Sequence, residues 1–329
     1  MKRLLLMVTA LSIMTVGTTV ASQAQQYPSQ PITLVVGMAA GGITDIATRT
    51  IAAEAKKYLG VELPVVNKPG AMQTVAMSYV ISARPDGYTL GATTDAPYAR
   101  APHMLSLNFN PMTETRPIIY YGTFPAVILV KPGGPLKTLD DVIAYAKANP
   151  GKLTYSTAGV ASGPHLGFGG FALEKGFKIS MVPFTGDSEA LLALLGGQVL
   201  TAGMGVGSCI SQVKAGKAKV VAVIHGEERL DTFPDAPTLR EAGFKELLPP
   251  PNLGIFGQKQ LPDAIAKSIA DVFTKASQSN AFKAYAANNY IYPMKGSTGE
   301  ELKAYLARSN QLTGDLIRQL GIGKSSKAK

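Results

Sequence analysis

The run Ile32-Thr33-Leu34-Val35-Val36-Gly37-Met38-Ala39-Ala40-Gly41-Gly42-Ile43-Thr44-Asp45 carries the first architectural signal in the chain. Residues 32–36 are almost continuously apolar and β-branched, as a strand buried on both faces of a parallel sheet requires. A loop of small residues follows, and Thr44 or Asp45 then stands where a helix would start. Ile46, Thr50, Ile51, Ala55 and Leu59 predict an apolar stripe on that helix. Residues 63–67 read as the next strand, 68–70 as a turn, 73–83 as a helix, 84–87 as a turn and 88–92 as another buried strand. Strands alternating with helices at this spacing define an α/β fold with a mostly parallel sheet.

A second series begins after Phe124-Pro125. Its predicted strands are 126–131, 153–157, 179–184, 199–206 and 219–224. Its helices are 138–148, opened by Thr138 or Asp140, then 164–175, with Ser162 or Gly163 at the cap, and 187–195. Beyond Glu227 the chain supplies one strand (253–257) and amphipathic helices over 263–277 and 298–320, too little for a third domain. These elements return to cover the first sheet. The predicted organisation is therefore two lobes: residues 25–125 plus 228–320, with 126–227 inserted as the second, and a mobile tail over 321–329. The crossovers 124–126 and 224–228 would be the hinge.

The composition agrees. Of 329 residues 46% are hydrophobic and 16% charged, with 34 Gly, 22 Pro and one Cys. This excludes a disordered chain, a coiled coil and a disulfide-stapled miniprotein. A cationic start (Lys2, Arg3), an apolar run over 4–20 and small residues at Ser22 and Ala24 predict an export signal cleaved after Ala24. No second stretch resembles a membrane span. Cys209 has no neighbouring His or basic helper and reads as a buried structural thiol. The net charge of +10 is dispersed, and Lys324, Lys327 and Lys329 sit in the tail, so nucleic acid is not expected as a partner.

One device recurs: a buried strand, a loop of small residues, and a helix opened by a hydroxyl or Asp. It spans 36–45, 155–165 and 183–187, with 92–95 as a fourth instance. Helix N-termini expose backbone N–H groups and a partial positive charge suited to anionic oxygens. None of these loops contains Arg or Lys; the first cations are Arg49 and Arg100, in or beyond the neighbouring elements. An anion would be met by N–H groups and by the hydroxyls of Thr44, Thr93, Thr94, Ser156 and Ser162.

Catalytic patterns fare poorly. GMGVG (203–207) is followed by Ser208 rather than completing a dinucleotide fingerprint. Gly323-Lys324-Ser325 lacks the upstream glycine of a P-loop, because Arg318 occupies that place. Ser162 lies in no nucleophile elbow, and His103, His165 and His225 lack metal-ligand spacing. No metal or cofactor is called for. The remaining enzyme reading is an exported hydrolase or isomerase using Asp45 as base or Ser162 with His165.

YPSQPITLVV (27–36), AAGGITD (39–45), NKPG (67–70), PDGYTL (85–90), NPGKLTYS (149–156), LLGGQV (194–199), KAGK (214–217) and FPDAPTLREAG (233–243) together resemble the Bug/TctC solute receptors of tripartite tricarboxylate transport systems. The resemblance implies a periplasmic, monomeric, two-lobed binding protein of the Venus-flytrap type. It would close on a small organic anion, a dicarboxylate or aromatic carboxylate, and deliver it to a membrane permease, or present it to a membrane sensor. The implied ligand contacts are Ala40, Gly41, Thr44, Asp45, Thr93, Thr94, Ser156, Ala158, Gly159, Ser162, His165, Phe184, Thr185 and Gly186, met largely through backbone groups and ordered water. Ile43, Ala71-Met72-Gln73 (where the family pattern usually continues with more glycine after Gly70), Leu200 and the 203–207 segment depart from the family pattern. They point to a wider, more apolar pocket.

Overall fold

The structure is a computed structural model that describes residues 27–245, 248–292, 294 and 297–324. The export signal expected over 1–24 lies outside them.

The chain opens with β1 (Thr33–Val36), α1 (Ile43–Leu59), β2 (Val65–Asn67), α2 (Thr74–Ile81) and β3 (Thr89–Thr93). Three single-turn helices follow, α3 (Ala96–Ala99), α4 (Ala101–Met104) and α5 (Pro111–Glu114), and then the long strand β4 (Thr115–Thr123). The second run is β5 (Ala126–Val130), α6 (Leu139–Ala148), β6 (Leu153–Thr157), α7 (Gly163–Glu174), β7 (Ile179–Pro183), α8 (Asp187–Leu195), β8 (Thr201–Gly205), α9 (Val206–Lys214) and β9 (Lys219–Val223). The chain ends with β10 (Asn252–Gln258), α10 (Asp263–Ser277), α11 (Asn280–Asn288), β11 (Ser297–Thr298) and α12 (Gly299–Gln319).

These strands form two sheets, ordered β11-β4-β10-β3-β1-β2 and β7-β6-β8-β5-β9. Pairing is parallel among β1, β2 and β3 and among β6, β7 and β8, whereas β10 and β5 run against both neighbours. Direction is therefore shared by most strands of each sheet: β10 and the edge strand β11 are reversed in the first, and β5 in the second. The strand expected over 253–257 is β10. Its place in the first sheet brings the C-terminal segment back beside β3 and β4.

Local physics explains the elements. In α1 the buried residues Ala47, Ile51, Ala55 and Leu59 recur at four-residue spacing, Asp45 sits in the first turn, Lys56 and Lys57 in the last, and Gly60 closes it with φ of 72°. Ile46, assigned to the apolar stripe by sequence, is instead exposed. Thr138 and Asp141 form a reciprocal capping box on α6. Ser162 caps α7 by accepting from the His165 N–H.

β4, the single-turn helices α3 to α5, α9, α11 and the short β11 are elements that the sequence pattern did not anticipate. The tail expected over 321–329 is anchored at its start. Ile322 packs with Leu316, Ile317 and Leu320 against Ala161 and Leu166, and Lys324 Nζ donates to the Pro102 carbonyl. Residues 325–329 lie outside the described part.

Both sheets bury aromatic cores. Tyr155 lies against Phe168 with ring centroids 4.8 Å apart, and Phe168, Phe171, Phe177 and Phe244 extend the cluster. Each such pair contributes about 0.5–1.5 kcal/mol beyond area burial. On β8, Gly203 leaves room for the Tyr155 hydroxyl, which donates to the Pro164 carbonyl at the start of α7. A Cβ at Gly203 would overlap that hydroxyl, and Tyr155 is fully buried with nowhere to move. Gly203→Ala is accordingly expected to cost about 3 kcal/mol. Urea denaturation would measure it as a lower midpoint at unchanged slope.

Candidate functional site

The two sheets face each other across a cleft of about 500 Å³. Its first wall is the loop after β1 (Met38, Gly41) and the start of α1 (Ile43, Thr44, Ile46), with Gln73, Thr94 and Arg100. The opposite wall is Ala158, Ser162, Gly163 and Pro164 at the start of α7, Asp187 at the start of α8, and Gly205 to Ser208 at the start of α9. Phe124, Ala126 and Pro251 on the crossovers form the floor, and Tyr285 and Asn289 close one side. Four helices thus begin at one cavity. The N-cap residues of α1, α8 and α9 are Gly42, Gly186 and Gly205, which offer no side-chain cap. The N-terminal ends of these helices present partial positive charge to a guest.

The crossovers lie side by side. The Phe124 N–H donates to the Pro251 carbonyl at 3.1 Å and the Ile224 N–H to the Ala126 carbonyl at 2.8 Å. The Ala126 N–H donates to His225 Nδ1, which places the ring proton on Nε2, a buried atom with no partner. Burial, then the charge of Arg100, push His225 down to about 3, so its ring is neutral.

Asp45 has a different place from the one expected. It is buried, accepting from the Gly41 N–H at 2.9 Å, from Arg49 Nε at 3.0 and 3.2 Å, and from Asn67 Nδ2 at 2.8 Å. Asn67 Nδ2 also donates to the Met38 carbonyl. Burial alone would raise its pKa, but Arg49, Gly41 and Asn67 outweigh that and hold it below the usual carboxylate range. Every lone pair facing the loop is committed, so Asp45 shapes the 38–41 loop and does not itself line the cleft.

The Ser162–His165 pair is likewise structural. Ser162 Oγ shares a hydrogen bond with Thr157 Oγ1 and accepts from the His165 backbone N–H, while His165 Nδ1 accepts from the Ala161 N–H. The imidazole makes no hydrogen bond to the serine hydroxyl, and burial lowers its pKa.

Of the residues named from sequence, Gly41, Thr44, Thr94, Ala158 and Ser162 line the cleft. Ala40 is exposed beside it, and Ser156 is buried, its Oγ donating to the Ala190 carbonyl. Thr93 is buried and donates to Gln73 Oε1 at 2.8 Å. Gly159 turns with φ of 95°, and its N–H donates to the Thr157 carbonyl. Phe184 packs into the second core; Thr185 bonds Glu189 at the surface; Gly186 caps α8.

Three polar residues escaped the sequence reading. The first is Arg100, and it corrects the expectation of an Arg-free site. It lies between α3 and α4, its side chain is 16% exposed, and its Nε is buried without a partner. Its nearest carboxylate, Asp95, is 3.9 Å away, and Asp95 Oδ1 makes no hydrogen bond either. Burial pushes the Asp95 carboxyl up against the opposing pull of Arg100. The second is Gln73. Ala71, Met72 and Gln73 have φ of 46°, 54° and 72°, a left-handed run that costs roughly 1–2 kcal/mol per residue. The run brings Gln73 to the cleft, where Oε1 accepts from Thr93 Oγ1 and the Thr94 N–H, and Nε2 donates to Thr94 Oγ1. The third is Asp187, half-buried, whose Oδ2 accepts from Ser208 Oγ at 2.7 Å and the Gly205 N–H at 3.4 Å. Among the described residues, no group of three or more His, Cys, Asp and Glu side chains is placed to hold a metal ion.

Two α/β lobes opposed across a cleft that several helix N-termini share define a two-lobed solute-binding receptor. More narrowly, the chain belongs to the tripartite tricarboxylate transporter family receptors (TctC), whose family profile matches residues 47–322. A UPF0065 protein of Cupriavidus necator is 34% identical over 304 residues, 92% of this chain and 91% of the relative. A TctC solute-binding protein from Polaromonas, solved without ligand, is 28% identical with a TM-score of 0.78, covering 89% of this chain and 99% of that one. MatC from Rhodopseudomonas palustris, solved with bound malate, is 25% identical with a TM-score of 0.72, over 88% of this chain and all of its own. The family is one of solute receptors rather than enzymes. Among the described residues no helix is long and apolar enough to cross a membrane.

Proposed function

We propose that this chain is exported to the periplasm, binds a small organic carboxylate between its two lobes, and hands it unchanged to a membrane permease. The observation that carries the reading is Arg100, a nearly buried guanidinium with an unpartnered Nε in the wall of a cleft onto which four helix N-termini open. A buried cation this poorly neutralised gains most from a guest that brings the missing negative charge. MatC, a similar structure, holds malate, which supports a carboxylate guest. Met38, Ile43, Ile46, Phe124, Val206 and Tyr285 contribute the apolar wall, which favours a guest with a hydrocarbon or aromatic body.

The division expected at 227/228 moves: Leu230, Ala236, Leu239 and Phe244 pack into the cores of the second sheet and Thr238 bridges to Val223, so the lobes would be residues 25–125 with 252–320, and 126–244, turning about the paired crossovers near 124–126 and 249–251 as differential contacts favour closure. Neither enzyme reading gains support: Asp45 has no free acceptor for a substrate proton, and the His165 ring does not meet Ser162.

A thermal-shift screen of organic acids, followed by titration calorimetry and recovery of the bound acid, tests the reading. A ligand at a hundred times its Kd should stabilise the protein by about 2.7 kcal/mol and be recovered chemically intact. A screen in which no carboxylate raises the melting temperature, or one in which the acid is converted, overturns it.

A further inference from the structure

A receptor for simple anions has little use for an acid in its cleft, yet Asp187 lines this one. It is the first residue of α8, on the wall opposite Arg100. Its Oδ2 is fixed by Ser208 Oγ and the Gly205 N–H, and its Oδ1 has no hydrogen-bond partner among the described residues. The carboxyl is therefore held in one orientation with one acceptor atom to spare. Burial raises its pKa, with Ser208 and Gly205 pulling the other way, so its anion is poorly solvated. Among the described residues, no Lys or Arg other than Arg100 lines the cavity, and Arg100 belongs to the first wall with Asp95 beside it. Among the described residues, Asp187 thus has no Lys or Arg partner of its own.

Resting on the carboxylate-receptor reading above, we infer that the guest is an amino-carboxylate: its carboxylate meets Arg100 and the N-terminal end of α1 on the first wall, and its protonated amine meets Asp187 Oδ1 on the other. One guanidinium and one carboxylate on facing walls, separated by apolar side chains, select a ligand that carries both signs. The same arrangement works against a dicarboxylate, whose second carboxylate would face Asp187 in a partly desolvated cavity. Like charges brought together there raise the cost of binding the wrong ligand. Gln73, through the Nε2 hydrogen not given to Thr94, remains a donor for the carboxylate end.

Titration calorimetry on the mature protein with matched pairs decides the matter: 5-aminopentanoate against glutarate, 6-aminohexanoate against adipate, and phenylalanine against phenylsuccinate. The wild-type protein is expected to bind the amino member of at least one pair tenfold or more tighter than its dicarboxylate. Asp187→Asn keeps the side-chain shape and an oxygen for Ser208; it is expected to erase or reverse that ratio at an unchanged melting temperature. Should it fold poorly, Asp187→Ser, which also removes the charge, reads the same ratio. A wild-type protein that binds the dicarboxylate equally or better, or a ratio that survives both substitutions, overturns the inference and leaves the carboxylate reading standing. Failure of every acid, amino or dicarboxylic, to bind sinks both.

Discussion

Arg100→Met is expected to weaken the binding of any carboxylate ligand by two to three orders of magnitude. Methionine preserves much of the apolar stem while deleting the guanidinium, so the loss reports charge and hydrogen bonding rather than packing. The size follows from burial: truncating one partner of a desolvated charge pair typically costs about 2–5 kcal/mol, and the Arg100 side chain is 16% exposed. Asp95 survives the change because burial already raises its pKa, so it can take up a proton once its cation is gone. Arg100→Lys is expected to recover only part of the affinity, since a point charge replaces the planar fork. Calorimetry on the three proteins gives the comparison. A loss under tenfold for methionine would remove Arg100 from the binding machinery.

The second large effect concerns Asp45, and it is one of stability. Asp45→Ala deletes the acceptor for Gly41, Arg49 and Asn67 together, and the 38–41 wall of the cleft loses its anchor. Arg49 is half exposed and rehydrates, which softens the penalty; the Gly41 N–H and Asn67 amide also lose their partner. About 3 kcal/mol is expected, within the range for hydrogen bonds to a buried charge. The pH dependence has a definite sign. The folded pKa lies below the ordinary 3.8, so the stabilisation is complete above 3.8 and fades as pH falls through the folded value. Urea midpoints for wild-type and Asp45→Ala proteins should therefore differ fully at pH 7 and converge in acid. A gap that is constant with pH would assign the effect to packing instead.

Much of the fold was legible because buried parallel strands and small-residue loops leave plain marks. The runs that became β1, β3, β6 and β9, the Thr138 and Ser162 caps, and the return of the C-terminal segment to the first sheet could all be read from side-chain patterning. β4 could not. Its Thr115–Thr123 sequence contains Pro117, which pairs opposite Phe256 where the β10 register shifts, a place where a missing N–H is tolerated. α11 is short and alanine-rich, burying only Phe282 and Ala286, which gives little periodic contrast.

The site was legible as a kind of place rather than as a set of residues. Helix starts pointed to the cleft, but Arg100 reached it through two single-turn helices whose early positions hold Pro97 and Pro102, and four-residue helices have no readable period. Gln73 did leave a trace. The resemblance led one to expect glycine after Gly70, where the chain has Ala71-Met72-Gln73, and all three adopt the left-handed backbone that glycine enters freely. A strained segment kept in place of an easy one deserved to be read as the support for a side chain. Asp187 was noticed only as a helix opener, since nothing along the chain announces that Ser208 and Gly205 would fold back onto its carboxyl.

In the last turns of α12, Leu316 and Leu320 lean on the bare backbone of Gly170 and Gly169 in α7, while Asn310 and Gly314, earlier on the same helix, sit against Tyr98 and His103 of the other lobe. One rigid rod is thus fastened to both halves of the molecule. A clamshell stroke of the kind proposed would have to pivot around that strap or peel it away from its greased contacts.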